Sequence, residues 1–221
     1  MLEIKSFTFG SFGTNTYVVS GLPSVAGESP FVLVVDPACS TEYEQQVLLT
    51  YLQSLQARCP EPLTVSLVAT HGHLDHLWGA PWACGKWHTP VLMHHADIPM
   101  AEGMQAQYNL FGISATPRPF PIRDIASAFW LSDTYQRLFP RRIQIIETPG
   151  HTPGGICLYF PEDNILISGD TLFQMGYGRT DLPGGNTMQL IQSLQLLFSL
   201  PPEVQVFPGH GEPTTIGDER R

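Results

Sequence analysis

Residues 69–76 read ATHGHLDH and follow directly on LTVSLV (63–68), an apolar run with the length and β-branched content of a buried strand. Of the chain's 8 histidines, His71, His73 and His76 fall in this run, together with Asp75. Imidazoles and a carboxylate gathered where a buried strand ends cost several kcal/mol each if they have no partner. A metal ion supplies one, and imidazole with carboxylate suits zinc or non-haem iron. On extended backbone His71 and His73 point the same way. Asp75 and His76 follow where the chain turns, so one tight loop can furnish two adjoining sub-sites.

Further polar residues stand beside glycine at other strand ends: His151 in ETPGHTPGG, Asp170 in LISGDTLF and His210 in VFPGHGEP. Glycine permits the close backbone approach that a crowded site needs. Strand signals lie in LEIKSFTF, NTYVVS and FVLVVD, the last ending at Asp36, then in LTVSLVAT and TPVLMHH. They return in RIQIIET, GICLYF and NILISGD, the last two joined by the turn PEDN, and in VQVFPGH. TEYEQQVLLTYLQSLQ predicts a helix with a capping box, Thr41 with Glu44, and NTMQLIQSLQLLFSL a second helix capped by Asn186. The stretch 97–140, with Pro99, Pro117, Pro119 and Pro121, reads as an irregular lid or binding loop. Strands and helices alternate in two similar halves without a clean linker, which predicts a layered α/β fold in one domain, residues 1–221.

The chain has 221 residues, 43% of them apolar, and a formal charge of −9 from 20 acids and 11 bases. That balance argues against a phosphate-binding surface and for a small-molecule or metal partner. No run approaches the ~18 apolar residues of a membrane span, and MLEIKSFTFG lacks the apolar core of a signal peptide. Cys39, Cys59, Cys84 and Cys157 lie far apart with no CxxC pair, which predicts reduced structural thiols in a cytoplasmic enzyme.

THGHLDH, PGH, GDTLF and PGHG, in that order and spacing, resemble the metallo-β-lactamase superfamily over most of the chain. The resemblance implies an αββα sandwich of two mixed sheets with a dinuclear metal site along one edge. By it, His71, His73 and His151 hold one metal, Asp75, His76 and His210 the second, and Asp170 bridges them. The implied cofactors are two divalent ions, zinc first, with iron or manganese as alternatives. No Cys lies in any motif, unlike the second site common in dizinc β-lactamases, and there is neither room nor basic surface for the RNA-processing branch. GDTLFQMGYGRTDLPGGN resembles the glyoxalase II-like hydrolases. The chain ends eleven residues after His210, without the helical glutathione-binding domain of classical members, and so resembles their short single-domain bacterial branch. The implied reaction is thioester hydrolysis by a metal-bridging hydroxide, with Asp75 and Asp170 in catalytic roles. The expected substrate is a small hydroxyacylglutathione-like thioester; neither nucleic acid nor membrane is expected as a partner.

A related branch, the persulfide dioxygenases, shares these motifs but uses one iron, and is the alternative. A non-catalytic structural metal site is the third reading, disfavoured because structural zinc commonly recruits Cys. Arg179, in YGRTD, either contacts a substrate carboxylate or pairs with Asp181, and Tyr177 is a candidate pocket wall. Asp36 either orients a ligand histidine or caps the turn before Pro37. Asn15 is expected to make a turn hydrogen bond, Trp78, Trp82 and Trp87 to be core or helix-face residues, and His88, His94 and His95 to be structural. Met100, Met104, Tyr108, Phe111 and Phe120 either wall an apolar acyl pocket or are exposed on a loop.

Overall fold

Continuous apolar strands with period-2 packing build the centre of the molecule. The computed structural model describes residues 2–21, 30–126 and 143–220. The first sheet runs β1 (Glu3–Phe9), β2 (Thr14–Gly21), β3 (Phe31–Val35), β4 (Thr64–Val68), β5 (Val91–Met93) and β6 (Ile122–Asp124), in that spatial order. β1 to β3 pair antiparallel, and β3 to β6 parallel. The second sheet orders β13 (Thr214–Thr215), β12 (Gln205–Pro208), β9 (Ile165–Gly169), β8 (Ile156–Phe160) and β7 (Gln144–Glu147). There β12 and β9 are parallel and the remaining pairs antiparallel.

Adjacent residues of one strand face opposite layers. Tyr17, Val19, Leu33 and Val35 pack between the sheets against Ile156, Leu158, Phe160 and Ile167. Val18, Val32 and Val34 instead face Leu48, Leu52 and Leu55 of α1 (Glu42–Gln56) and Ala83 of α2 (Ala80–Trp87). On the far side Cys157, Tyr159, Leu166 and Val206 meet Leu190, Leu194 and Leu197 of the helix Thr187–Leu197. The result is four layers: helices, mixed sheet, mixed sheet, helices. Each fully buried Leu, Ile or Phe contributes about 1.5–3 kcal/mol. The capping box at Thr41 is formed, with Glu44 reaching back to the Thr41 amide, and Asn186 accepts from the Gln189 amide.

The stretch beginning at residue 97 departs from expectation. Instead of an irregular loop it starts with α3 (Ile98–Glu102) and α4 (Met104–Leu110), then returns to β6. Pro99 sits in the first turn of α3, where its missing N–H costs nothing, so this proline starts a helix rather than breaking one. Residues 127–140 of the expected lid, and Arg142 of the expected strand RIQIIET, lie outside the described residues. The strand foreseen in TPVLMHH covers only Val91–Met93, because His95–Asp97 form a tight helical turn. A short hairpin, β10 (Leu172–Phe173) with β11 (Gly176–Tyr177), follows β9. The helix at 187–197 is α5, and α6 (Ile216–Glu219) closes the chain. Among the described residues no helix is long and apolar enough to cross a membrane.

Strand direction gathers one edge. The carboxyl ends of β3, β4, β5, β9 and β12, and the amino ends of the antiparallel β2 and β8, all point to it. Two main-chain hydrogen bonds join the sheets there: the Ile156 amide donates to the Thr70 carbonyl at 2.9 Å, and the Asn15 amide to the Gly209 carbonyl at 2.7 Å.

Candidate metal centre

All seven expected donors converge on that edge. His71, His73 and His151 form one group, His71, His76 and Asp170 a second, and Asp75, His76 and His210 a third; within each, the donor atoms lie within 4.8 Å of one another. Asp170 stands between the groups, with Oδ2 3.5 Å from both His151 Nε2 and His210 Nε2 and Oδ1 3.4 Å from His76 Nε2. His73 Nδ1 lies 2.9 Å from His151 Nε2, and His76 Nε2 lies 3.3 Å from His210 Nε2.

Outer contacts fix which nitrogen of each ring faces inward. The Thr70 hydroxyl donates to Asp36 Oδ2, so its oxygen accepts from His71 Nδ1 at 3.0 Å, leaving His71 Nε2 buried without a hydrogen-bond partner. His76 Nδ1 donates to Asp36 Oδ2 at 2.9 Å, and His151 Nδ1 to the Arg179 carbonyl at 2.7 Å. In all three the outward N–H is tied and Nε2 is turned to the cluster, the arrangement that orients metal ligands. Asp36 therefore orients a histidine. It also turns the chain ahead of Pro37, with φ 52°, a left-handed conformation that Asp tolerates better than most residues.

The carboxylates carry the charge balance. Burial disfavours charge on His76, but Asp75, Asp170 and Asp36 outweigh it and hold its pKa well above the ordinary value. Burial acts on His210 the same way, and hydrogen bonds to Asp170 and Asp75 lift it to about 9. Burial, reinforced by His76, drives His71 well below the ordinary value, and burial with His151 and His76 lowers His73 to about 4. Burial would raise Asp75 and Asp170, yet His76 above all, then the hydrogen bonds from His210, lower both. His71 and His73 thus present lone pairs, while Asp75 and Asp170 are ionised carboxylates that demand positive charge.

Several organising groups escaped the sequence reading. Asp97, fully buried, accepts from the Gly72 amide at 2.8 Å, the Thr152 hydroxyl at 2.7 Å and the Gly154 amide at 2.6 Å. It ties the loop of His71 and His73 to the loop of His151. Its signal was available: like Asp36 and Asp170, it is an acid just past the carboxyl end of a strand. Gln107 of α4 accepts from the Leu74 amide and donates to the Gly72 carbonyl. The Thr14 hydroxyl donates to Asp75 Oδ2 at 2.7 Å. Asn15 makes no turn bond; it lies within β2 and donates to the Pro208 and Gly211 carbonyls, anchoring the His210 loop. Gly209 is required by space, since a Cβ there would stand 2.1 Å from Asp170 Oδ1.

The remaining candidates sort by position. Arg179 is exposed, its guanidinium paired with Asp181 at 2.6 and 2.7 Å, while its carbonyl serves His151. Tyr177 is exposed on β11. Met100 and Phe111 line an apolar cavity of about 540 Å³ that begins at His73, whereas Met104 and Tyr108 are buried in the core and Phe120 packs against it. Trp78, Trp82 and Trp87 pack on the same core. His94 accepts from the Ala96 amide and approaches Glu147.

Comparison with known proteins agrees with this geometry. The family model of the Metallo-beta-lactamase superfamily matches residues 11–210. The hydroxyacylglutathione hydrolase GloC of Haemophilus influenzae is 35% identical over 161 residues, 70% of this chain and 72% of its own. The crystal structure of TTHA1623 in a di-iron-bound form aligns with a TM-score of 0.76 at 34% identity, covering 98% of this chain and 97% of that one. The BLEG-1 B3 metallo-beta-lactamase aligns with the same TM-score at 27% identity, covering 98% of this chain and 96% of its own.

Proposed function

We propose a function from one premise: the chain belongs to the metallo-β-lactamase superfamily, whose members are metal-dependent hydrolases. Our reading is a thioester hydrolase of the glyoxalase II-like kind. His71, His73 and His151 would hold one divalent cation and Asp75, His76 and His210 a second, with Asp170 placed between the two groups. The residues fit such ions on their own chemistry. His71 Nε2 and Asp170 Oδ1 are buried polar atoms without hydrogen-bond partners, which costs several kcal/mol unless a cation meets them. When bound, paired divalent cations supply Lewis acidity and bring the pKa of water towards about 7. Zinc, iron and manganese all suit these nitrogen and oxygen donors.

The chain's own groups do the positioning. Asp75 Oδ2, fixed by the Thr14 hydroxyl and 3.3 Å from His210 Nε2, is an ionised acceptor that orients the attacking water. Asp170 holds the two histidine groups in register. His73 is shared between the cluster and the apolar cavity, which places a substrate lodged there with its carbonyl beside the donors. Water adds to the thioester carbonyl carbon, the C–S bond breaks, and the released water proton passes to solvent. A thiolate is a good enough leaving group that no general acid is required. The free, buried cysteines and the acidic charge support a small-molecule substrate in the cytoplasm, without nucleic acid or membrane.

The observation that carries the reading is the convergence of six donors around Asp170 beside a preformed apolar cavity. Three assays on metal-loaded protein test it: thioester cleavage, oxygen uptake on a persulfide, and hydrolysis of a β-lactam. Thioester turnover well above the other two is expected. Oxygen consumption with one iron per chain would install the persulfide dioxygenase reading, and dominant β-lactam turnover that of an antibiotic hydrolase.

A further inference from the structure

The cavity beside the metal centre carries a statement about substrate that family membership does not. Its walls come from α3, α4 and the loops after His151 and Asp181, with Met100, Ala106, Leu110, Phe111 and Pro153 among them. Among the described residues that line it, only His73 and Gln107 are polar. The Gln107 amide is already engaged: its oxygen accepts from the Leu74 amide, and its nitrogen donates to the Gly72 and Met100 carbonyls. Among the described residues no Lys, Arg, Asp or Glu lines the cavity. The neighbouring Arg179 is committed to Asp181. Beyond the rim the apolar surface continues, since the half-exposed Phe12 ring packs edge-on to Phe111 at 5.6 Å and against Trp78 at 5.8 Å.

A glutathionyl group carries two carboxylates and an ammonium, and burying unpaired charge against such walls is strongly unfavourable. A volume of about 540 Å³ falls in the ordinary range for small-ligand sites. We propose that this cavity is the substrate's specificity pocket and takes an uncharged, apolar limb, so that the chain acts on neutral acyl thioesters in preference to glutathione thioesters. The proposal rests on the thioester reading for its reaction, but its binding half stands apart from turnover. Selection follows apolar area: each methylene buried improves binding about fourfold. Ala106 is the gate on length, because it is an exposed small residue of α4 whose replacement by leucine fills the pocket without opposing the helix.

Titration calorimetry with unreactive thioethers tests the pocket on metal-loaded protein. S-hexyl-N-acetylcysteamine should bind at least tenfold more tightly than S-hexylglutathione, and Ala106→Leu should weaken it at least fivefold. Equal or tighter binding of the glutathione thioether, no binding of either, or indifference to Ala106→Leu overturns the proposal. The kinetic arm compares hexanoyl with butanoyl thioesters of the same neutral thiol. Two added methylenes should raise kcat/KM by about fifteenfold at full burial, and Ala106→Leu should collapse that ratio. A flat chain-length response refutes the pocket's role. Thioethers that bind as stated with no thioester cleaved would retain the pocket and refute the reaction, whereas cleavage with glutathione preferred would do the reverse.

Discussion

Asp97 offers the sharpest test of how the centre is assembled, because its buried carboxylate accepts from both ligand loops, that of His71 and His73 and that of His151. In Asp97→Ala three donors lose their acceptor: the Gly72 amide, the Thr152 hydroxyl and the Gly154 amide. A buried donor left unsatisfied costs about 1–3 kcal/mol. Thr152 can turn its hydroxyl elsewhere, so the two buried amides set the net loss, about 2–6 kcal/mol. Asp97→Asn is informative by contrast. Its carbonyl oxygen, placed where Oδ2 now sits, keeps Gly72 and Thr152, but its NH2 then faces the Gly154 N–H at 2.6 Å, so the cost is about 2–3 kcal/mol. Urea unfolding read by tryptophan fluorescence gives both values. Metal content after gel filtration gives the consequence, because His71 and His73 would no longer be fixed relative to His151; retention should fall in the order wild type, Asn, Ala. If Asp97→Ala cost under about 1 kcal/mol and kept its metal, the idea that this carboxylate clamps the two loops would be wrong.

Other consequences follow from single contacts. Gly209→Ala should fold yet lose most metal and activity, since the new Cβ would stand 2.1 Å from Asp170 Oδ1 and 2.7 Å from His76 Cε1; metal analysis with circular dichroism checks it, and normal loading would contradict the packing. Burial pushes the Cys39 thiol up to about 12 and those of Cys84 and Cys157 to about 11. All three should therefore resist a disulfide reagent at pH 8 until the chain is unfolded. In chelator-treated protein the raised pKa values of His76 and His210 stabilise the fold fully below the unfolded value near about 6.5. That contribution is lost as pH rises through about 9, so Tm of the metal-free form should drop between these limits, and a Tm that rises there would contradict the charge assignment. Cations compete with those same protons, so metal binding should release protons and tighten with pH, measurable by calorimetry in buffers of different ionisation enthalpy.

Much of this architecture is legible in the sequence because its strands are written as apolar runs and its donors sit beside glycine at strand ends. FVLVV reads as a fully buried strand and ICLYF as a strand, and both pack with adjacent residues in different layers. The donors of ATHGHLDH fall where the pattern places them. What stayed hidden depends on contacts distant in the chain or on main-chain atoms. The carbonyl that fixes His151 belongs to Arg179, and no side-chain pattern announces a carbonyl. Asp97 is hidden because its stretch reads as a proline-broken loop, although Pro99 there opens a helix. Asn15 looked like a turn residue by type, and only the approach of the second sheet shows why an amide stands in β2. Met104 and Tyr108 share helix α4 with the cavity residues Gln107 and Leu110, and which face of so short a helix meets the core is settled by packing.

The central claim, that seven residues from four separate stretches of the chain surround two cations, is open to a direct measurement: anomalous diffraction at the absorption edge of the bound metal, on crystals grown without chelator. Two peaks roughly 3.5–4 Å apart are expected, one against His71, His73 and His151, the other against Asp75, His76 and His210, with Asp170 touching both. A single peak at full occupancy, or none among these side chains, would contradict the account.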